Sequence, residues 1–253
     1  MSLGKIFSII GILTFAAFMS SCTKEVQEDG IGNFQLRLLP TYEGEDFEVG
    51  QIYYDILGHR IRVDDFKFYI SNALLLKSDG STTPLFEIAL FDLDAMESHI
   101  YQVAAGDYEG MLLSIGVPEE LNKDQDPTQY ANSHPLSVSG SQGMFWTWNT
   151  GYIFVKFEGK ADTLGVEGNP LLHPFAFHCG EDVLFRSHVF ENTNFTVGSD
   201  GTTCMDLRFA VDRFFYNDID TIDIKENYLT HTSGNLPLAE RFTDLFNAQI
   251  YFE

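Results

Sequence analysis

Short runs of alternating apolar and polar residues recur along most of this chain, and they leave it few options for folding. Phe34, Leu36 and Leu38 alternate with polar neighbours, as do Ile61 and Val63, then Phe66, Phe68 and Ile70. Further runs at 86–90, 111–115, 152–157, 184–190, 205–211 and 248–252 are separated by Gly, Asn, Asp and Pro. A period of two sends successive side chains to opposite faces of a strand. The pattern therefore predicts an all-β fold, a single antiparallel sandwich or barrel-like domain. The 23 Phe and 11 Tyr suit strands better than helices. Helices should be few and short. The clearest spans 238–247, where Leu238, Phe242, Leu245 and Phe246 share one face and Pro237 suits the first turn. Residues 116–142 follow neither period and read as a long ordered loop that delivers His134 to the tryptophan-rich stretch after it.

Residues 1–21 read as an address rather than as structure. Lys5 precedes an apolar run over 6–19, shorter than the ~20 residues a membrane-spanning helix needs. Ser20 and Ser21 stand directly before Cys22, which resembles a bacterial lipoprotein signal. Cys22 is then the expected site of lipidation and the mature N-terminus. Thr23 follows it where Asp is absent, and by analogy with lipoprotein sorting this points to the outer membrane, in either leaflet. Polar, acidic residues 22–32 form the expected tether, and 33–253 a single domain. The formal net charge of −22 lacks the basic footprint that nucleic acid requires.

Chemistry concentrates in Gly143-Met144-Phe145-Trp146-Thr147-Trp148-Asn149, which holds both tryptophans of the chain. In an extended backbone Met144, Trp146 and Trp148 share one face, and a row of two indoles and a thioether can line a site. Of seven histidines, His59 and His99 sit in polar, turn-like sequence and read as surface residues. His173 reads as a loop position and His188 as a structural strand residue. In Phe175-Ala176-Phe177-His178 the two Phe share one face and His178 lies beside the small Ala176 on the other. Pro135 holds His134 extended, and His231 precedes the expected C-terminal helix. No HxH, HxxxH or CxxC pair occurs, so a metal site must be assembled from distant segments. With Cys22 lipidated, Cys179 and Cys204 remain. Two thiols in an oxidising compartment point to a disulfide, and the alternative is Cys179 as a thiolate ligand. No GxSxG, HExxH or Gly-rich phosphate loop is present, so catalysis is not expected.

The stretch GMFWTWNTGYIFVKFEG resembles the signature of the MbnP-like copper-binding proteins, named for a methanobactin-associated periplasmic protein. Phe68-Tyr69-Ile70-Ser71-Asn72, Ala105-Gly106-Asp107-Tyr108, Ser114-Ile115-Gly116-Val117, His134-Pro135-Leu136 and Phe175-Ala176-Phe177-His178 follow that family's pattern in its order. The resemblance covers roughly 33–253. It implies copper as the bound metal, with His134, His178 and His231 as candidate ligands, and Met144 offers a thioether as a further candidate. It also implies that Trp146 or Trp148 is oxidised to kynurenine by a separate di-haem enzyme. Soft thioether and aromatic partners suit Cu(I). The first strand, however, lacks a His that copper-binding members often carry there, and Cys179 stands where an aliphatic residue is more usual. The competing reading is a non-catalytic surface lipoprotein that binds glycan or protein through its β-sandwich; a third is a structural β-domain with no ligand. Copper binding requires imidazoles near the indoles. Glycan binding requires the indoles to be open to solvent without imidazoles nearby.

Replacing Cys22 by Ser is expected to block processing or release the protein from membranes, read by fractionation and intact mass. Normal processing with membrane retention would exclude lipidation at Cys22.

Overall fold

The computed structural model describes residues 30–95, 99–123, 125–146, 151–164 and 166–252. Cys22 and Trp148, together with the expected signal peptide, lie outside the described residues. In chain order the first strands are β1 (Ile31–Tyr42), β2 (Glu45–Asp46), β3 (Ile52–Tyr54), β4 (Arg60–Leu76), β5 (Thr82–Asp92), β6 (Ile100–Ala104) and β7 (Gly106–Ile115). After helix α1 (Glu119–Asn122) come β8 (Phe145–Trp146), β9 (Gly151–Asp162), β10 (His173–Gly180), β11 (Arg186–Val197), β12 (Thr202–Ala210) and β13 (Leu229–Thr230). Helix α2 (Leu236–Asn247) then leads into β14 (Ile250–Phe252).

These strands form two sheets. One is ordered β14-β12-β1-β2 with β6 also on β1; the other is ordered β11-β7-β4-β9-β10-β13, with β3 and β5 on β4 and β8 on β9. Of the sandwich or barrel-like fold that the alternation predicts, the structure is the all-β sandwich, with few helices and no closed barrel among the described residues. Its pairing is not wholly antiparallel: β1 runs parallel to β12, and β13 parallel to β10. Neither pair is joined by a hairpin, so no turn constrains its direction.

β4 explains a change of phase visible in the sequence. Its inward residues are Ile61 and Val63, then Phe66, Phe68 and Ile70, then Ala73 and Leu75. Its ladder to β9 shifts between Val63 and Asp65, and its ladder to β7 shifts between Ser71 and Leu74. Each bulge inserts an unpaired residue and moves the apolar set to the other parity. Asn72, at φ 52, sits in the second shift.

The core is mostly aromatic. Phe157 of β9 meets Phe66 edge-on at 5.1 Å between centroids and also packs on Phe175, Phe214, Phe215 and Phe242. Phe177 of β10 stacks on Phe242 of α2 at 4.5 Å. Tilted and edge-to-face pairs of this kind add about 0.5–1.5 kcal/mol each beyond the area they bury. Asn235 caps α2 by accepting from the Leu238 N–H, and Leu238, Phe242, Leu245 and Phe246 are its buried face. The helix thus closes the sandwich with the stripe expected of it.

The 116–142 segment is pinned to the outer face of the larger sheet. The Tyr69 hydroxyl donates to the Pro135 carbonyl at 2.9 Å, and the Tyr152 hydroxyl to the Leu136 carbonyl at 2.5 Å. The Asn122 side chain accepts from the Tyr152 N–H at 2.9 Å. Tyr69, Tyr152 and Phe154 are consequently buried on a face that further along carries Lys67 and Lys156.

Two sequence expectations are corrected here. Cys179 and Cys204 carry free thiols and no disulfide joins them. Cys179 faces the core with its sulfur 3.8 Å from the Ala239 carbonyl of α2. Cys204 alternates with the inward Met205 and Leu207, is exposed and lies beside Gln35. One sulfur points into the sandwich and the other out of its second sheet. His59, expected at the surface, is buried instead: its Nδ1 lies 2.9 Å from Asp55, whose carboxylate also accepts from the N–H groups of Leu57 and His59 to close the β3–β4 turn.

In a chain carrying Cys22→Ser, a thiol reagent should label one cysteine of the native protein, Cys204, and two after denaturation without reductant. No labelling under either condition would restore the disulfide.

Candidate metal centre

β9 and β10 pair so that Phe157 stands opposite Phe177, and Lys156 opposite His178. Alternation sends the phenyl rings inward, so Lys156, Glu158 and His178 emerge on the outer face. β13 then pairs Leu229 with Ala176 and Thr230 with Phe177. The next residue on each strand is His231 and His178, and their rings meet: Nδ1 to Nδ1 is 2.9 Å and the centroids are 4.6 Å apart.

The contact is locked from the backbone side. The buried Thr232 hydroxyl donates to the His178 carbonyl at 3.0 Å and accepts from the Gly180 N–H at 2.8 Å. Thr232 has φ 53, a region that a β-branched residue enters only at a cost, of order 1–3 kcal/mol. Its two hydrogen bonds hold that conformation and fix His231 relative to β10.

From the sheet side, Glu158 hydrogen-bonds the Nε2 of His178. Lys156 Nζ stands 3.6 Å from Glu158 and 2.7 Å from Asp65, which also takes Lys67 at 2.7 Å; Lys67 is 3.4 Å from Asp92. Charges therefore alternate across the strands from Asp92 to the imidazoles. Burial pushes the Asp65 carboxyl up, but hydrogen bonds from Lys156 and Lys67 bring it below its ordinary value. The hydrogen bond from His178 holds Glu158 below its ordinary value, against the effect of burial. Burial, and then the neighbouring His178, depress the His231 imidazole.

Trp146 joins the pair. A pocket is lined by Gly143, Trp146, Ile153, Lys156, His178 and His231. Trp146 is only 5% exposed, and its six-membered ring lies over Gly180. A Cβ at Gly180 would come within 2.7 Å of that ring and 2.5 Å of the Tyr152 carbonyl, so glycine is what admits the indole.

The other candidates sit elsewhere. His134 stacks on Tyr130 at 4.4 Å, and its Nδ1 accepts from the Leu136 N–H at 3.1 Å. It does not line the pocket; the loop brings the Pro135 and Leu136 carbonyls to buried tyrosines instead. Met144 is fully buried in the core, as its apolar thioether allows, and is not among the pocket's lining residues. Cys179 lies on the face opposite His178, and burial pushes its thiol up to about 12, which opposes thiolate ligation. His188 has the structural role expected of it, with Nε2 2.7 Å from Asn247 Oδ1. Sequence reasoning missed Glu158, Lys156 and Thr232. The outward parity of Lys156 and Glu158 was visible in 152–158, but nothing local says which strand lies beside them.

Among the described residues, no group of three or more His, Cys, Asp or Glu side chains is arranged to hold a metal ion. The site supplies two converging imidazole nitrogens, one of them backed by a carboxylate, and a buried indole beside them. That set fits a metal that takes neutral nitrogen donors, and its third donor must come from another residue type.

Replacing Gly180 by Ala is expected to displace the Trp146 ring and to cost about 1–3 kcal/mol, as overpacking does. The measurements are denaturant unfolding and a shifted indole emission. Unchanged stability and emission would contradict the described contact.

A family model described as MbnP matches residues 31–233 of the chain. Among solved structures the chain is similar to MbnP from Methylosinus trichosporium, at 14% identity with a TM-score of 0.53, over 76% of this chain and 80% of that one. That likeness is one of fold. No curated protein matches the chain.

Proposed function

The chain belongs to the MbnP family, and we propose that it is a non-catalytic copper-binding protein of the cell envelope whose metal is held by His178 and His231 beside Trp146. The family is associated with copper and methanobactin. The observation that carries the reading is the meeting of two imidazoles at 2.9 Å in the pocket that Trp146 lines. The glycan alternative needs an indole open to solvent; of the two indoles Trp146 is the described one, and it is buried against Gly180 with both imidazoles at its pocket.

Two imidazoles are an incomplete shell. The resemblance that implies kynurenine at Trp146 or Trp148 also supplies the missing donor, because kynurenine carries a carbonyl and an aryl amine where an indole has only a donor N–H. Trp146 lines the pocket with both imidazoles, which supports it for this role; Trp148 lies outside the described residues. Copper, once bound, supplies a redox-active centre for transfer or storage; the chain's part is to present nitrogen donors and to shield them. Lipidation at Cys22 would tether the domain to the outer membrane, and a separate di-haem enzyme would carry out the oxidation.

Cu(I) titration against a competing chelator tests the site. His178→Ala and His231→Ala should each weaken binding by more than the about 10–100-fold that loss of an outer-shell partner costs. His134→Ala and Met144→Leu should change it far less. Wild-type affinity in both His178→Ala and His231→Ala would exclude this site.

A further inference from the structure

We infer that Glu158 is a positioning residue, which accepts the Nε2–H of His178 and so turns the unprotonated Nδ1 of that ring toward His231. The affinity consequence of this inference rests on the copper reading above; its structural content does not.

The argument follows from donor and acceptor chemistry. An ionised carboxylate can only accept, so its hydrogen bond to His178 Nε2 requires the proton on that nitrogen. A neutral imidazole carries one N–H, and Nδ1 of His178 is then an acceptor. The Nδ1–Nδ1 contact of 2.9 Å consequently takes its proton from His231. One carboxylate thus sets both tautomers: His178 carries its proton on Nε2, and His231 on Nδ1.

Glu158 is held for this task. It stands one pleat along β9 from Lys156, the residue paired with His178, and Lys156 lies 3.6 Å from its carboxylate. Asp65, paired with Glu158 across β4, fixes Lys156 at 2.7 Å. The carboxylate is therefore anchored by the sheet register. Metals take the unprotonated imidazole nitrogen, so a metal that displaces the His231 N–H from His178 Nδ1 meets a donor there already deprotonated and oriented. Tautomer control of a ligating imidazole by a carboxylate on its far nitrogen is a general device, and losing it costs about 10–100-fold in metal affinity.

The test uses the metal-free protein first. Two-bond ¹H–¹⁵N correlation spectra of the imidazoles should show the Nε2–H form for His178 and the Nδ1–H form for His231. Glu158→Ala should leave fold and melting behaviour close to wild type while mixing the two forms at His178. It should also weaken Cu(I) binding by about 10–100-fold. Glu158→Gln keeps an acceptor oxygen and should restore both the tautomer and most of the affinity. An unchanged His178 tautomer in Glu158→Ala would overturn the inference, as would equal losses in the Ala and Gln variants. Wild-type tautomers as described with no copper binding would overturn the copper reading and leave the positioning role of Glu158 supported.

Discussion

Phe157 sets both the inside and the outside of this molecule. Its ring is surrounded by Phe66, Phe175, Phe214, Phe215 and Phe242, which fixes the register of β9 against β4 and β10. A slip of one residue would drive Lys156 and Glu158 into an aromatic core and expose Phe157, so the register is strongly specified. Everything at the candidate centre inherits that choice. Phe177 faces Phe157, so His178 emerges beside Lys156; β13 docks on β10, so His231 emerges beside His178.

The outer face is then divided between two environments. Toward one end, the 116–142 segment covers Tyr69, Tyr152 and Phe154, and its carbonyls satisfy the tyrosine hydroxyls. Toward the other, an alternating row of Asp and Lys remains partly exposed. The imidazole pair joins the last carboxylate of that row to the pocket lined by Trp146. Such a position would give a metal access from solvent while the sheet held its donors, the condition under which a small site keeps its geometry.

Much of this was legible in the sequence where the signal is local. The alternation in 175–178 places Phe175 and Phe177 inside and His178 outside, and the structure has them so. The stripe Leu238, Phe242, Leu245 and Phe246 is the buried face of α2. Even the first phase change along β4, between Val63 and Phe66, could be read, though not that a bulge causes it. Pairings between distant segments could not. β13 has two residues, too few for any periodicity, and yet its parallel docking decides where His231 lies. Counting thiols could not reveal that Cys179 and Cys204 point to different faces. The segment carrying His134 does not bring its imidazole to the tryptophan stretch; what its described residues deliver to the sheet is a pair of backbone carbonyls and the Asn122 amide oxygen. Glu158 was hidden for the same reason as β13: its partner is 20 residues away on the next strand.

The most direct measurement of the central claim is X-ray absorption at the copper edge of the loaded protein, with the histidines selectively replaced. The account predicts two imidazole scattering paths in the wild type, one of which disappears in His178→Ala and one in His231→Ala. Copper that retains both imidazole paths in either variant, or shows none in the wild type, would contradict it.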